Sequence, residues 1–138
     1  MKRDPPPLGG PCLPLPQVKG IVVSRDGRLS WEVATHVVTE LDLDGCSSPV
    51  MLVPCNEPGL HPDTMRWDIY VLRGECAHPV GTIDGLNDPF ELPGWSCGLR
   101  NIGTMQPSLL AAGQNHGQVM TRYAFDGKGY RAGRRERR

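Results

Sequence analysis

Glycine and proline punctuate this chain so densely that long helices are excluded. They account for 31 of the 138 residues, 17 Gly and 14 Pro. Glycine disfavours a helix interior through backbone entropy, proline through its missing N–H. Both belong in tight turns. Between them lie short runs with a period of two, the pattern of strands with one buried face. The chain reads as mainly β, a single small antiparallel sheet or sandwich of about seven or eight short strands in a blade-like meander.

The runs can be placed. Gly20–Ser24 and Leu29–Val33 flank the turn Arg25-Asp26-Gly27-Arg28 as a hairpin. Val37–Leu41 alternates, and Val50-Met51-Leu52-Val53 is a short apolar run closed by Pro54, a buried strand. In Met65–Arg73 the residues Trp67, Ile69 and Val71 point one way and Asp68, Tyr70 and Leu72 the other. Val80–Ile83, Leu99–Ile102 and Gln118–Phe125 are further strands, and Tyr130-Arg131 starts a last one after the Asp126-Gly127 turn. Residues 54–65 and 84–98 are expected as loops, and Ser108–Ala112 as a single helical turn. Residues 1–18, with six prolines, form an extended disordered leader, residues 19–131 one domain, and residues 132–138 a flexible basic tail.

Charge excludes one class of function. Lys+Arg and Asp+Glu are 15 each, but residues 131–138 carry five Arg and one Glu. The body is therefore acidic, and a nucleic-acid-binding face is not expected. No apolar run is long enough for a transmembrane helix. Met1-Lys2-Arg3 leads into proline-rich sequence, so no intact signal peptide is expected here.

The acidic turn Leu41-Asp42-Leu43-Asp44-Gly45-Cys46, leading into Val50-Met51-Leu52-Val53, resembles the FG-GAP repeats of integrin-type β-propellers. In that family an Asp-x-Asp-x-Asp-Gly loop precedes an apolar strand and commonly holds calcium. The closing segment Tyr123-Ala124-Phe125-Asp126-Gly127-Lys128-Gly129-Tyr130 is similar to the end of many exported bacterial proteins with such repeats. The resemblance covers residues 35–54 and, loosely, 119–131. It implies calcium at Asp42 and Asp44, which occupy the first two acidic positions. The third is absent, since Cys46 follows Gly45 directly. A full propeller needs at least about four four-stranded blades, so an isolated blade-like module is expected.

Five cysteines are present. Cys46, Cys55, Cys76 and Cys97 lie in the body and are candidates for two disulfides, with Cys12 left over in the leader. Disulfides place the protein outside the cytosol: secreted, periplasmic or on the cell surface. Zinc is the competing use of Cys55, His61, Cys76 and His78, but only Cys76-Ala77-His78 is closely spaced.

Gly94-Trp95-Ser96-Cys97-Gly98 matches Gly-x-Ser-x-Gly. A nucleophile elbow needs a helix after the serine, and then an acid followed by a histidine. Residues 99–105 lack a helical pattern, and His116 precedes Asp126. A loop with a buried Trp95 and a bridged Cys97 is expected instead. Trp31, Trp67 and Trp95 could stack on a carbohydrate, but they read as core anchors. Glu32, Glu40, Asp68 and Glu75 read as solvated strand carboxylates. The resulting expectation is a non-enzymatic exported module that binds a protein or glycan partner, or is structural. The alternative is a small secreted hydrolase using Ser96 or a carboxylate pair.

Overall fold

The computed structural model describes residues 12–18, 20–31, 35–38, 40–55, 64–107 and 118–137. Eleven strands and one 3-10 turn make up its regular structure, with no α-helix among the described residues. Strands β4 (His36–Val38), β5 (Val50–Pro54), β6 (Met65–Arg73) and β7 (Cys76–Gly85) form one antiparallel meander. Strands β8 (Phe90–Ser96), β9 (Leu99–Pro107), β10 (Gln118–Phe125) and β11 (Tyr130–Arg137) form a second. The two join where β11 meets β7 in parallel, at Tyr130 opposite Gly81. The result is one mixed sheet in the order β4-β5-β6-β7-β11-β10-β9-β8. Strands β2 (Ile21–Val23) and β3 (Leu29–Trp31) form a separate hairpin.

The sheet curls so that the two meanders face each other. Its concave side gathers Leu43, Val50, Leu52, Trp67, Ile69, Val71, Ile83, Leu99, Ile102 and Phe125 into one core. The alternation of β6 is obeyed: Ile69 and Val71 enter this core, while Tyr70 and Leu72 face the other side. On that convex side, Met51, Val53, Tyr70 and Ala77 are covered by Leu13, Leu15, Val18 and Ile21 of the N-terminal strap. Val50–Val53 thus packs against apolar neighbours on both faces, which is why its apolar run has no polar interruption. Each fully buried aliphatic side chain contributes on the order of 2 kcal/mol.

The strap alters the expected domain boundary. Strand β1 (Leu13–Pro14) pairs with the start of β7, and the 3-10 turn Leu15–Gln17 follows. Leu15 N–H donates to Glu75 O at 3.2 Å. Residues 12–18 therefore belong to the folded domain, because a convex face rich in apolar side chains needs a cover. At the other end β11 pairs with β10 as far as Arg137 opposite Val119, so the basic tail is largely strand. Among the described residues, β11 beyond Tyr130 pairs only with β10.

Residues 84–98 are also not a loop. Strand β7 runs to Gly85, and β8 occupies Phe90–Ser96. Pro93 and Gly94 sit in a bulge, where the register jumps from Glu91 opposite Ile102 to Trp95 opposite Arg100. A bulge tolerates both residues inside a strand. The β8–β9 connection is the two-residue turn Cys97-Gly98, both with positive φ (49° and 93°), as the tightest hairpins require. The helical turn expected at Ser108–Ala112 lies outside the described residues.

A polar knot ties the meanders together inside the curl. The Asp84 carbonyl accepts from Thr104 Oγ1 at 2.6 Å and from Gln106 Nε2 at 3.0 Å. The Asp84 N–H donates to the Tyr123 hydroxyl at 3.0 Å. The Asp84 carboxylate takes a two-pronged contact from Arg66, Nε at 2.7 Å and Nη2 at 3.0 Å. Buried polar groups have to be satisfied, and here they satisfy one another across four strands.

Candidate functional site

Strands β4 and β8 are the two ends of the sheet, and the curl brings the segment after β4 against the start of β8 without pairing the strands. Side chains and isolated backbone contacts span the seam. His36 Nε2 lies 2.7 Å from Asp88 Oδ1. The Asp42 N–H donates to Glu91 Oε1 at 2.8 Å, and the Arg100 N–H donates to Leu43 O at 2.8 Å. Arg100 Nε reaches Asp42 O at 3.2 Å. Next to these contacts is a cleft of about 340 Å³ lined by Val38, Glu40, Leu41, Asp88, Pro89, Phe90 and Glu91. Its floor is apolar and its rim carries three exposed carboxylates, Glu40, Asp88 and Glu91.

The acidic turn forms one end of the seam. Asp44 is fully buried, with a side-chain exposure of 0%. Its Oδ1 accepts from Cys46 N–H at 2.8 Å. Its Oδ2 accepts from Ser48 Oγ at 2.5 Å and from Arg73 Nη2 at 3.0 Å. Burial pushes this carboxyl up, but the Ser48, Cys46 and Arg73 donors outweigh burial and hold it below the ordinary 3.8. Asp42 Oδ1 accepts from Ser47 N–H at 2.9 Å. Gly45 and Ser47 take positive φ, 75° and 58°, so that the turn can close on these carboxylates. Both Asp42 and Asp44 therefore act as acceptors for their own turn. A calcium ion would have to compete with the guanidinium of Arg73 for Asp44.

Trp95 is exposed (48%), not the buried anchor its sequence context predicts. The bulge turns it outward, and the Arg100 guanidinium stacks 4.3 Å from the centroid of its ring. Trp67 is a core anchor, edge-to-face with His36. The side chain of Trp31 lies outside what is described. The Ser96 hydroxyl donates to Asn101 Oδ1 at 2.7 Å, an acceptor too weakly basic to take its proton. Asp68 accepts from the Thr82 hydroxyl at 3.0 Å, while Glu40 and Glu75 are exposed. Glu32, His61 and His116 fall outside the described residues.

The cysteines depart from expectation. The disulfide joins Cys12 to Cys76, and Cys46, Cys55 and Cys97 take no part in it. Cys12 is no leftover because the strap folds back beside β7. No sequence spacing reveals that return. The cleft residues Asp88, Pro89 and Phe90, together with Arg73 and Arg100, were also invisible as a group. They come from segments distant in sequence that only the curl brings together. No helix among the described residues is long and apolar enough to cross a membrane.

Comparison with known protein families, with curated proteins and with solved structures gives no match. What the coordinates define is a small mainly-β domain: one curled sheet, braced by a disulfide and open along one seam.

Proposed function

We propose that this protein is a non-enzymatic exported module, and that its seam is where a protein or glycan partner docks. The observation that carries the reading is the cleft between Val38–Leu41 and Asp88–Glu91, with its apolar floor and acidic rim, and the exposed Trp95 farther along β8. An apolar floor with a few placed polar groups is the usual make-up of a binding site. A stacked aromatic–arginine pair is the kind of anchor interfaces use. The rim favours a partner that presents cationic or hydroxyl groups. Export is supported by the disulfide.

In this reading Arg73 supplies the positive charge that calcium supplies in fuller acidic loops. The melting temperature should therefore be the same with calcium and with a chelator. A calcium-dependent rise would return the metal to the turn. The docking reading is tested with Glu40→Lys and Trp95→Ala, two exposed positions; the first should leave stability within about 0.5 kcal/mol, the second within about 1–2 kcal/mol because it also loses the Arg100 stack. Glycan arrays and display of extended peptides identify a ligand for the wild type. Each substitution should weaken it at least about tenfold, the loss expected of an interface anchor. Unchanged binding in both variants would remove the seam from the function. The hydrolase alternative uses Ser96 or a carboxylate pair; in the non-enzymatic reading Ser96 is no nucleophile, and any hydrolytic activity found should be unaffected by Ser96→Ala.

A further inference from the structure

We propose that Cys12, Cys76 and His78 form a redox-gated site for one soft or borderline divalent metal ion of the zinc class. The three ligand atoms lie within 4.8 Å of one another. Their juxtaposition follows from strand geometry. Cys76 and His78 are two apart on β7, so their side chains leave the same face. Strand β1 runs antiparallel beside them, with Leu13 opposite Ala77 and Pro14 opposite Cys76. Continuing that register sets Cys12 next to His78. The cluster is half open to solvent, with Cys12 exposed and the other two partly buried, so an ion can enter and a water can complete its shell. Two thiolates, one imidazole and a water are a recognised zinc donor set.

The same sulfurs also form the disulfide, so the two states exclude each other. An external dithiol reduces the bond. Two protein thiols form, and the reductant leaves as its own cyclic disulfide. The metal ion then displaces one proton from each thiol to solvent and gains the two thiolates and the imidazole nitrogen as ligands. In oxidising surroundings a covalent bond ties the strap to β7, and in reducing surroundings the ion does. The strap is then held over the convex face in either state. This inference is independent of what docks at the seam.

The test uses the full chain with Cys46→Ser, Cys55→Ser and Cys97→Ser, which leaves Cys12 and Cys76 as the only thiols. The reduced protein, titrated anaerobically with cobalt(II) as a spectroscopic stand-in for zinc, should develop a thiolate-to-metal charge-transfer band that saturates at about one equivalent. Zinc should bleach it. The oxidised protein should show no band. His78→Ala should weaken binding by at least about tenfold, the loss that even an outer partner of a metal ligand brings. A reduced protein without the band, or a band unaffected by His78→Ala, overturns the site. The unmodified chain gives a second readout should the triple variant not fold. After reduction, zinc should slow alkylation of Cys12 and Cys76, read by peptide mass, while Cys97 reacts as fast as before. Equal rates at all three would likewise overturn it.

Discussion

At the scale of single residues, the Asp44–Arg73 pair carries the most consequence. The Asp44 side chain is wholly buried and that of Arg73 largely so, at 16% exposure. Removing one member of such a pair strands the other charge out of water. Arg73→Ala should therefore cost about 3–5 kcal/mol, read as a drop in the urea midpoint. Asp44→Asn keeps the shape and removes the charge, so its effect should depend on pH. The folded pKa of Asp44 lies below its ordinary value, as do those of the exposed turn aspartates Asp26 and Asp126. A depressed pKa means that the folded state favours the ionised form. The stability it brings is present above pH 3.8 and is lost as pH falls through the folded value. The unfolding free energy read from denaturant titration should therefore fall steadily below about pH 4, and Asp44→Asn should flatten part of that slope. A slope unaltered in Asp44→Asn would mean that the acid sensitivity resides elsewhere.

At the scale of elements, the contact between β7 and β11 is the narrowest point of the sheet. A side chain at Gly81 would put its first carbon 2.5 Å from the Tyr130 amide nitrogen, on a backbone with φ of 136°. Gly81→Ala should cost at least about 2 kcal/mol, measured by thermal or urea unfolding. Gly127→Ala, also at positive φ but in open space, provides the comparison that separates backbone strain from the clash. Strands such as β5, β6 and β10 were legible in the sequence because their neighbours impose the simplest patterns, continuous or alternating. Strand β8 was not, since Pro93 and Gly94 imitate a loop while serving a bulge. Asp84 opens the expected 84–98 loop, whereas its backbone N–H and carbonyl together tie three strands. The acidic turn was legible as a turn. Its buried counter-charge was not, because Arg73 stands 29 residues away.

At the scale of the molecule, the disulfide decides how the strap is kept. It closes a separation of 64 residues, for which chain entropy gives a stabilisation of about 4 kcal/mol. Metal-free reduction should lower the unfolding free energy by up to that amount, and Cys12→Ser should do the same under oxidising conditions. A loss well below about 1 kcal/mol would mean that Leu13, Leu15, Val18 and Ile21 hold the strap by packing alone. The same loss should bare Met51, Val53 and Tyr70, which an apolar fluorescent dye would report.

The outer margin of β11 has its own consequence. Beyond Tyr130 this strand pairs on one side only among the described residues, leaving backbone groups of the kind that recruit further strands. Its sequence from Arg131 to Arg137 contains four arginines and a single acid. A second molecule arriving edge to edge would bring cation against cation. What reads in composition as a basic tail should thus oppose fibre-like growth, and high salt, by screening that repulsion, is the condition in which the protein should first self-associate.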